Sequence, residues 1–302
     1  MIHPNFKEYL PSYYFSTINP HAAYPKLEGR LKTETCVIGG GLTGLCTALP
    51  LAENGRKVTV LEAARIGFGA SGRSGGQVIS DYACGMEEIE KQVGLEQARW
   101  FWQQSLQAVE LVDERVKKHQ IACDWQRGYA TVAIRPQHWE ELQQWHEHAR
   151  QHYGATHYQL WDKATLKQHL ASDMYLGAQF DPHSGHLHPL NYTLGIARAA
   201  AEAGAQIFEQ SPMTRIEPYQ GGWLVHTPDG SIECQNLVYA VNTYAGLHQK
   251  FKPLEKKAIA VSTFIIATEP LGERAKELIR NNMAVCDNRH VLDYYRLSAD
   301  GR

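Results

Sequence analysis

An α/β fold is what the sequence predicts, on three observations. A short apolar run, Thr35–Ile38, stops at Gly39-Gly40-Gly41 and gives way to a helical pattern over Thr43–Asn54. Lys57–Glu62 (KVTVLE) then supplies a β-branched apolar run. A strand buried on both faces of a parallel sheet reads this way. Beyond this unit, strand-like and helical stretches continue to alternate, the pattern of layered α/β architectures.

The chain's 302 residues leave room for two domains or one interleaved pair. Hydrophobic residues make up 43% and charged residues 21%, an ordinary globular balance. Thirty basic residues against thirty-two acidic ones give a net charge of −2, with no basic block. No such block is there to recruit nucleic acid or an anionic membrane, so the electrostatics point to a small-molecule partner. Six cysteines are scattered without a CxxC, as thiols in a reducing compartment. The N-terminus lacks the apolar core of a secretory signal, so a cytoplasmic protein is expected. Thr35–Ala52 carries no charge and is long enough to resemble a membrane span. Its four glycines, three threonines and Pro50 resolve it instead as strand, turn and buried helix.

Each element has its own signal. Residues 1–34 read as an irregular arm rich in Tyr, Pro and Asn. Gly55 stops the first helix. Pro50 lies inside that helix and removes one N–H, so a kink near its far end is expected. From Leu95 to His119 apolar residues recur at helical spacing. Then come a strand over Thr131–Ile134, a helix over Gln137–Tyr153 and a strand over Tyr175–Asp181. Asn191–Ala203 reads as a helix closed by Gly204, and Gln206–Glu209 as a strand. Gly221-Gly222 and Asp229-Gly230 mark hairpin turns. Leu237–Asn242 and Val291–Ser298 read as further strands. Ala299-Asp300-Gly301 reads as a turn with no returning strand, so a chain cut short at its C-terminus is expected.

Gly39-x-Gly41-x-x-Gly44 sits between a strand and a helix, the context that makes a dinucleotide fingerprint credible. The first glycine permits the tight turn, the second lets backbone approach a pyrophosphate, and the third lets helix pack on strand. Backbone amides and the positive helix end then face the diphosphate. Glu62 closes the second strand, where a carboxylate accepts from ribose hydroxyls. By itself such a motif is equally a Gly-rich turn; strand, helix, strand and acid together favour a Rossmann-like FAD/NAD(P)-binding domain. The segment after Glu62 separates the two cofactors. Residues 67–76 hold five glycines in ten positions, a second run of exposed amides that brings backbone close to a flat ring. FAD has use for such a loop and NAD has little. Arg65 and Arg73 are read either as charge beside the diphosphate or as solvated surface arginines.

The run CVIGGGLTGLCTALPLAENGRKVTVLEAARIGFGASGRSGGQ resembles the FAD-binding start of the D-amino acid oxidase/glycine oxidase superfamily. Ser12–Thr17, Ser184–Gly195, Phe208–Glu217, Ile265–Glu273 and Val291–Arg302 extend the likeness to its branch that oxidises gamma-glutamylputrescine. The resemblance implies FAD contacts at Gly39, Gly41, Gly44, Glu62, Ala63, Ala70, Ser71, Gly76 and Gln77, with Met213 offering backbone to the adenine. It implies oxidation of a gamma-glutamylated diamine at its free amino end. A hydride passes to the flavin, water hydrolyses the imine, and oxygen is reduced to peroxide. The partners implied are thus an amine and oxygen; the oligomeric state stays open. Three positions depart from the pattern. Asn242 stands where a strand-end glycine is typical, Ser74 replaces a common asparagine, and family members continue past Arg302.

Other constellations are weaker. His183, His186 and His188 suggest a metal site or a loop entering a helix; without a second ligand cluster, the loop and no metal are expected. Tyr294 and Tyr295 are candidates for the substrate pocket or, alternatively, core aromatics of a buried strand. No Ser-His-Asp or Cys-His arrangement stands out. The domains expected are an N-terminal arm (1–27), an FAD-binding domain (28–85 and 186–247) and an interleaved, incomplete α+β substrate domain (86–185 and 248–302). The rival readings are an oxidase of glycine, sarcosine or a D-amino acid, an NAD(P)-dependent dehydrogenase, and an inactive flavoprotein remnant.

Overall fold

The computed structural model describes residues 8–247, 257, 259–261 and 263–302. Residues 1–7 of the expected arm, and 248–256, 258 and 262 of the expected substrate domain, lie outside the described residues. The elements begin with α1 (Tyr13–Ser16), β1 (Gly29–Lys32), β2 (Thr35–Ile38), α2 (Leu42–Glu53), β3 (Val58–Leu61) and β4 (Gln77–Val78). Next come α3 (Met86–Val93), α4 (Leu95–Lys118), β5 (Gln126–Ala133), α5 (Pro136–His148), β6 (Gln159–Asp162) and α6 (Lys163–Lys167). Then follow β7 (Gly177–His186), α7 (Pro189–Glu202), β8 (Gln206–Phe208), β9 (Arg215–Tyr219), β10 (Gly222–His226) and β11 (Gly230–Cys234). The last strands are β12 (Asn236–Tyr239), β13 (Ala284–Asp287) and β14 (Tyr294–Tyr295).

The chain divides into two compact units. The first comprises Met1–Ser74, Ile121–Cys123 and Pro189–Ile265. Its central sheet is entirely parallel, in the order β12-β2-β3-β8. Every residue of β2 and β3 is buried, which explains their unbroken apolar character. Val37, Val60 and Leu61 are at most 1% exposed, each contributing roughly 1.5–3 kcal/mol over exposure. A second sheet, β1-β11-β10-β9, is antiparallel except where β1 joins β11. Leu27, Cys36, Ile38, Leu61, Ile216, Val225, Ile232 and Cys234 form the core shared by these strands. Helix α2 runs through Pro50 to Glu53, so the proline falls in its far half.

The second unit comprises Gly75–Gln120, Asp124–His188 and Ile266–Arg302. Its sheet runs β14-β13-β5-β7-β4, with β6 also pairing β7. Ala130, Val132, Trp161, Leu166, Ala178, Met283 and Val285 fill the core of this sheet. Together the parallel nucleotide-type sheet and the mixed α+β unit make the Rossmann-like α/β fold that the sequence predicts.

Four expectations are corrected here. Strand β7 extends to His186, so His183 and His186 lie on a strand and not in a loop. Its register with β5 shifts between Arg127 and Tyr129. Pro182 falls at that irregularity, where a missing donor costs no ladder bond. The helix expected over Gln137–Tyr153 ends at His148, and Ala149–Tyr153 form a π-type turn. The strand expected over Leu237–Asn242 stops at Tyr239, and Asn242 takes a left-handed φ of 50° at the start of a 3-10 turn. Only Tyr294 and Tyr295 of the last predicted strand pair with a neighbour.

Candidate functional site

The turn from β2 into α2 is built by close approach. Gly39 takes φ +113°, and a Cβ there would lie 2.3 Å from the Ala240 carbonyl oxygen. A Cβ on Gly44 would lie 1.9 Å from the Gly39 oxygen and 3.2 Å from Val37 Cγ1. Helix and strand therefore touch where only glycine fits. Gly41 is the N-cap residue of α2 and itself offers no side chain to the first-turn amides, the groups by which a helix N-terminus receives an anion.

The second Gly-rich segment braces this turn. Gly67 N donates to Gly40 O at 2.9 Å. Ser71 Oγ, in a 3-10 turn over Ala70–Gly72, accepts from Leu42 N at 3.0 Å. Glu62, at the end of β3, accepts from Gly40 N at 2.7 Å through one oxygen and from Ala64 N at 2.8 Å through the other. Burial pushes the Glu62 carboxyl above the ordinary glutamate range, and these amide donors partly oppose the shift. Ala63 and Ala70 are exposed. Met213 is half-buried against the core between the two sheets.

Arg65 is engaged elsewhere. It pairs with the buried Glu209 at 2.9 Å and with Glu8 at 2.7 Å. Sequence reasoning missed Glu209, which also accepts from Ile66 N at 2.7 Å and Tyr24 N at 3.1 Å. It thereby ties the turn after β3 to the N-terminal arm. Arg73 lies over the Phe68 ring at 5.5 Å and donates to Gly69 O.

In the second unit, Gly76 and Gln77 lead into β4, where Gln77 pairs with His186. Tyr294 packs on Gly75: a Cβ there would be 2.6 Å from its Cε2. Tyr295 packs against the sheet core, its hydroxyl bonded to that of Tyr175 at 2.9 Å. The two tyrosines thus divide, one against the Gly-rich run and one into the core. The three histidines diverge. His186 Nε2 meets Asn282 O at 2.8 Å, while His183 is half-exposed near Glu110. Among the described residues, no three His, Cys, Asp or Glu side chains gather as a metal site. No helix among them is long and apolar enough to cross a membrane.

A parallel sheet, a glycine turn into α2 and an acid-tipped second strand define a dinucleotide-binding fold. Residues 34–302 match the family described as FAD dependent oxidoreductase, and the chain belongs to that family. It is 46% identical to "Probable oxidoreductase OrdL" of Haemophilus influenzae, covering 100% of this chain and 71% of that protein. It is 39% identical to "Gamma-glutamylputrescine oxidoreductase" of Escherichia coli, covering 98% of this chain and 69% of that one. Among solved structures, L-proline dehydrogenase from P. horikoshii superposes with a TM-score of 0.67 at 22% identity. That match covers 91% of this chain and 69% of the other. The protein is an FAD-dependent enzyme, and the residues around the β2–α2 turn fit the group. The tight glycine cradle leaves no room for a Cβ, and the N-cap Gly41 itself places no side chain over the helix end.

Proposed function

We propose that the protein oxidises a gamma-glutamylated diamine, most closely gamma-glutamylputrescine, at its free amino end. Amine and water become aldehyde and ammonia, while oxygen takes up two electrons and two protons to give hydrogen peroxide. The observation that carries this reading is the 39% identity to the Escherichia coli enzyme across 98% of the chain. The internal geometry of the first unit supports the cofactor half of it. FAD, when bound, supplies the two-electron acceptor; the chain supplies binding, orientation and electrostatics.

In this reading the amides around Gly39, Gly41 and Gly44 and the N-terminus of α2 hold the diphosphate. Glu62 accepts from the ribose hydroxyls, with Ala63, Ala70 and Ser71 lining the cofactor and Met213 backbone meeting the adenine. Gly76 and Gln77 contact the flavin end. The cofactor domain is then residues 28–85 and 186–247, and the substrate domain residues 86–185 and 248–302. Tyr294, on the Gly-rich run, is the better placed of the two tyrosines to meet an amine.

The test is a panel of gamma-glutamylputrescine, putrescine, glycine and sarcosine offered to the purified flavoprotein. The gamma-glutamyl amine is expected to bleach the flavin fastest and to yield peroxide. Bleaching by glycine or sarcosine alone would move the assignment to an amino acid oxidase, and bleaching by none would remove it.

A further inference from the structure

Arg296 gathers three backbone carbonyls in the second unit. Its Nε donates to Gly75 O at 2.8 Å, its Nη2 to Leu187 O at 3.0 Å and its Nη1 to Leu297 O at 3.1 Å. Gly75 opens the run Gly75-Gly76-Gln77, and Leu187 directly follows β7. The same two segments are joined by Leu187 N donating to Gly76 O at 2.8 Å and by the Gln77–His186 pair. Tyr294, two residues before Arg296, lies on Gly75. The segment Tyr294–Arg296 therefore grips the Gly-rich run by a ring on one residue and by a charged fork spanning two carbonyls. A lysine ammonium cannot reproduce that fork.

The fork also carries charge. A cation bonded to the Gly75 carbonyl polarises the Gly75–Gly76 peptide and strengthens its N–H as a donor. The neighbouring imidazoles do not supply such a charge near neutral pH. Burial holds His186 down at about 4, with Arg296 pushing the same way, and burial also lowers His188.

We propose that Arg296 is a positioning residue for the cofactor, fixing the Gly75–Gln77 amides and raising the potential of the flavin they contact. It rests on the assignment of Gly76 and Gln77 to the flavin. Hydrogen bonds and fixed charge around the ring are the means by which a protein tunes a flavin.

The experiment compares wild-type, Arg296→Met and Arg296→Lys proteins for FAD dissociation constant, midpoint potential and melting temperature. Losing a charged hydrogen bond is expected to weaken FAD binding in Arg296→Met about tenfold or more. Its potential is expected to fall by about 30 mV, a tenfold shift for a two-electron couple. Arg296→Lys keeps the charge and is expected to restore the potential but not the full affinity. A lower melting temperature with unchanged potential and affinity in Arg296→Met would make the residue merely structural and overturn the proposal. Should Arg296→Met fail to fold, Arg296→Lys decides: wild-type affinity overturns the proposal, and weakened affinity at wild-type potential supports it. Wild-type protein that takes up no FAD would instead sink the cofactor assignment beneath it.

Discussion

The hydroxyls of Tyr175 and Tyr295 lie 2.9 Å apart, and this bond fixes how the last strand presents its two tyrosines. Successive residues of a strand face opposite sides. With Tyr295 drawn into the core beside Tyr175, Tyr294 is left to pack on Gly75. Burial pushes the Tyr295 phenol far above its ordinary range, so it stays a neutral hydrogen-bonding group.

The two tyrosines should therefore respond differently to mutation. Tyr295→Phe removes one buried hydrogen bond and is expected to cost about 1 kcal/mol of stability. Urea titration reads that loss, and amine turnover should stay near wild type. Tyr294→Ala frees Gly75 and is expected to lower turnover by about tenfold or more, since small misplacements near a reacting centre are expensive. Equal turnover in the two variants would remove Tyr294 from the pocket.

Gly44→Ala is a sharper test of the β2–α2 turn. The added methyl would sit 1.9 Å from the Gly39 oxygen and 3.1 Å from the Gly39 carbonyl carbon, both backbone atoms that cannot rotate away. Helix and strand must separate, at a cost of at least about 1–3 kcal/mol. The flavin content of the purified variant should drop well below that of wild type. A variant with full flavin and an unchanged melting temperature would show that this close contact is not needed.

This turn was the most legible part of the molecule. Three glycines, two buried strands and Glu62 lie within one short unit, where local pattern and fold agree. The long-range parts were not legible. Glu209 reads as one more acid after a strand, and only the folded chain brings it to Arg65, Ile66 and Tyr24. Strand β13 has four residues, and its place between β5 and β14 depends on pairing across more than 150 positions. The extension of β7 through His183 and His186 was hidden by polarity. Ser184 and His186 are buried on bonds to Asp181 and Asn282, which no hydrophobic pattern reveals.

Glu62 predicts a pH dependence of cofactor binding. Its carboxyl is raised by burial, and under the proposed assignment it must be ionised to accept fully from the ribose hydroxyls. FAD affinity is therefore expected to fall on acidification at a pH above the usual glutamate value of about 4.3. The sign for the apoprotein is opposite. A folded-state pKa above the unfolded one gives stability that is present at low pH and lost as pH rises through the folded value. Glu62→Gln should flatten the affinity profile while binding more weakly throughout. An unaltered acid limb in that variant would assign the titration to another group.

His186 predicts the reverse trend for stability. The ring is 2% exposed, and burial, reinforced by the Arg296 charge, lowers it from 6.5 to about 4. The unfolded chain therefore takes up this proton first. Its contribution is complete above the unfolded value and is lost as pH falls from 6.5 through about 4; below that both states are charged. Converted at 1.36 kcal/mol per unit, the loss is at most about 3 kcal/mol. Because Nε2 is bonded to the Asn282 carbonyl, Gln at this position can keep a donor there while removing the titration. Urea midpoints of wild type and His186→Gln, measured near neutrality and again at about pH 4.5 between those two values, isolate the term. Wild type should lose more stability on acidification than the variant does. Parallel losses in the two proteins would place the acid sensitivity elsewhere and leave His186 a silent member of the sheet.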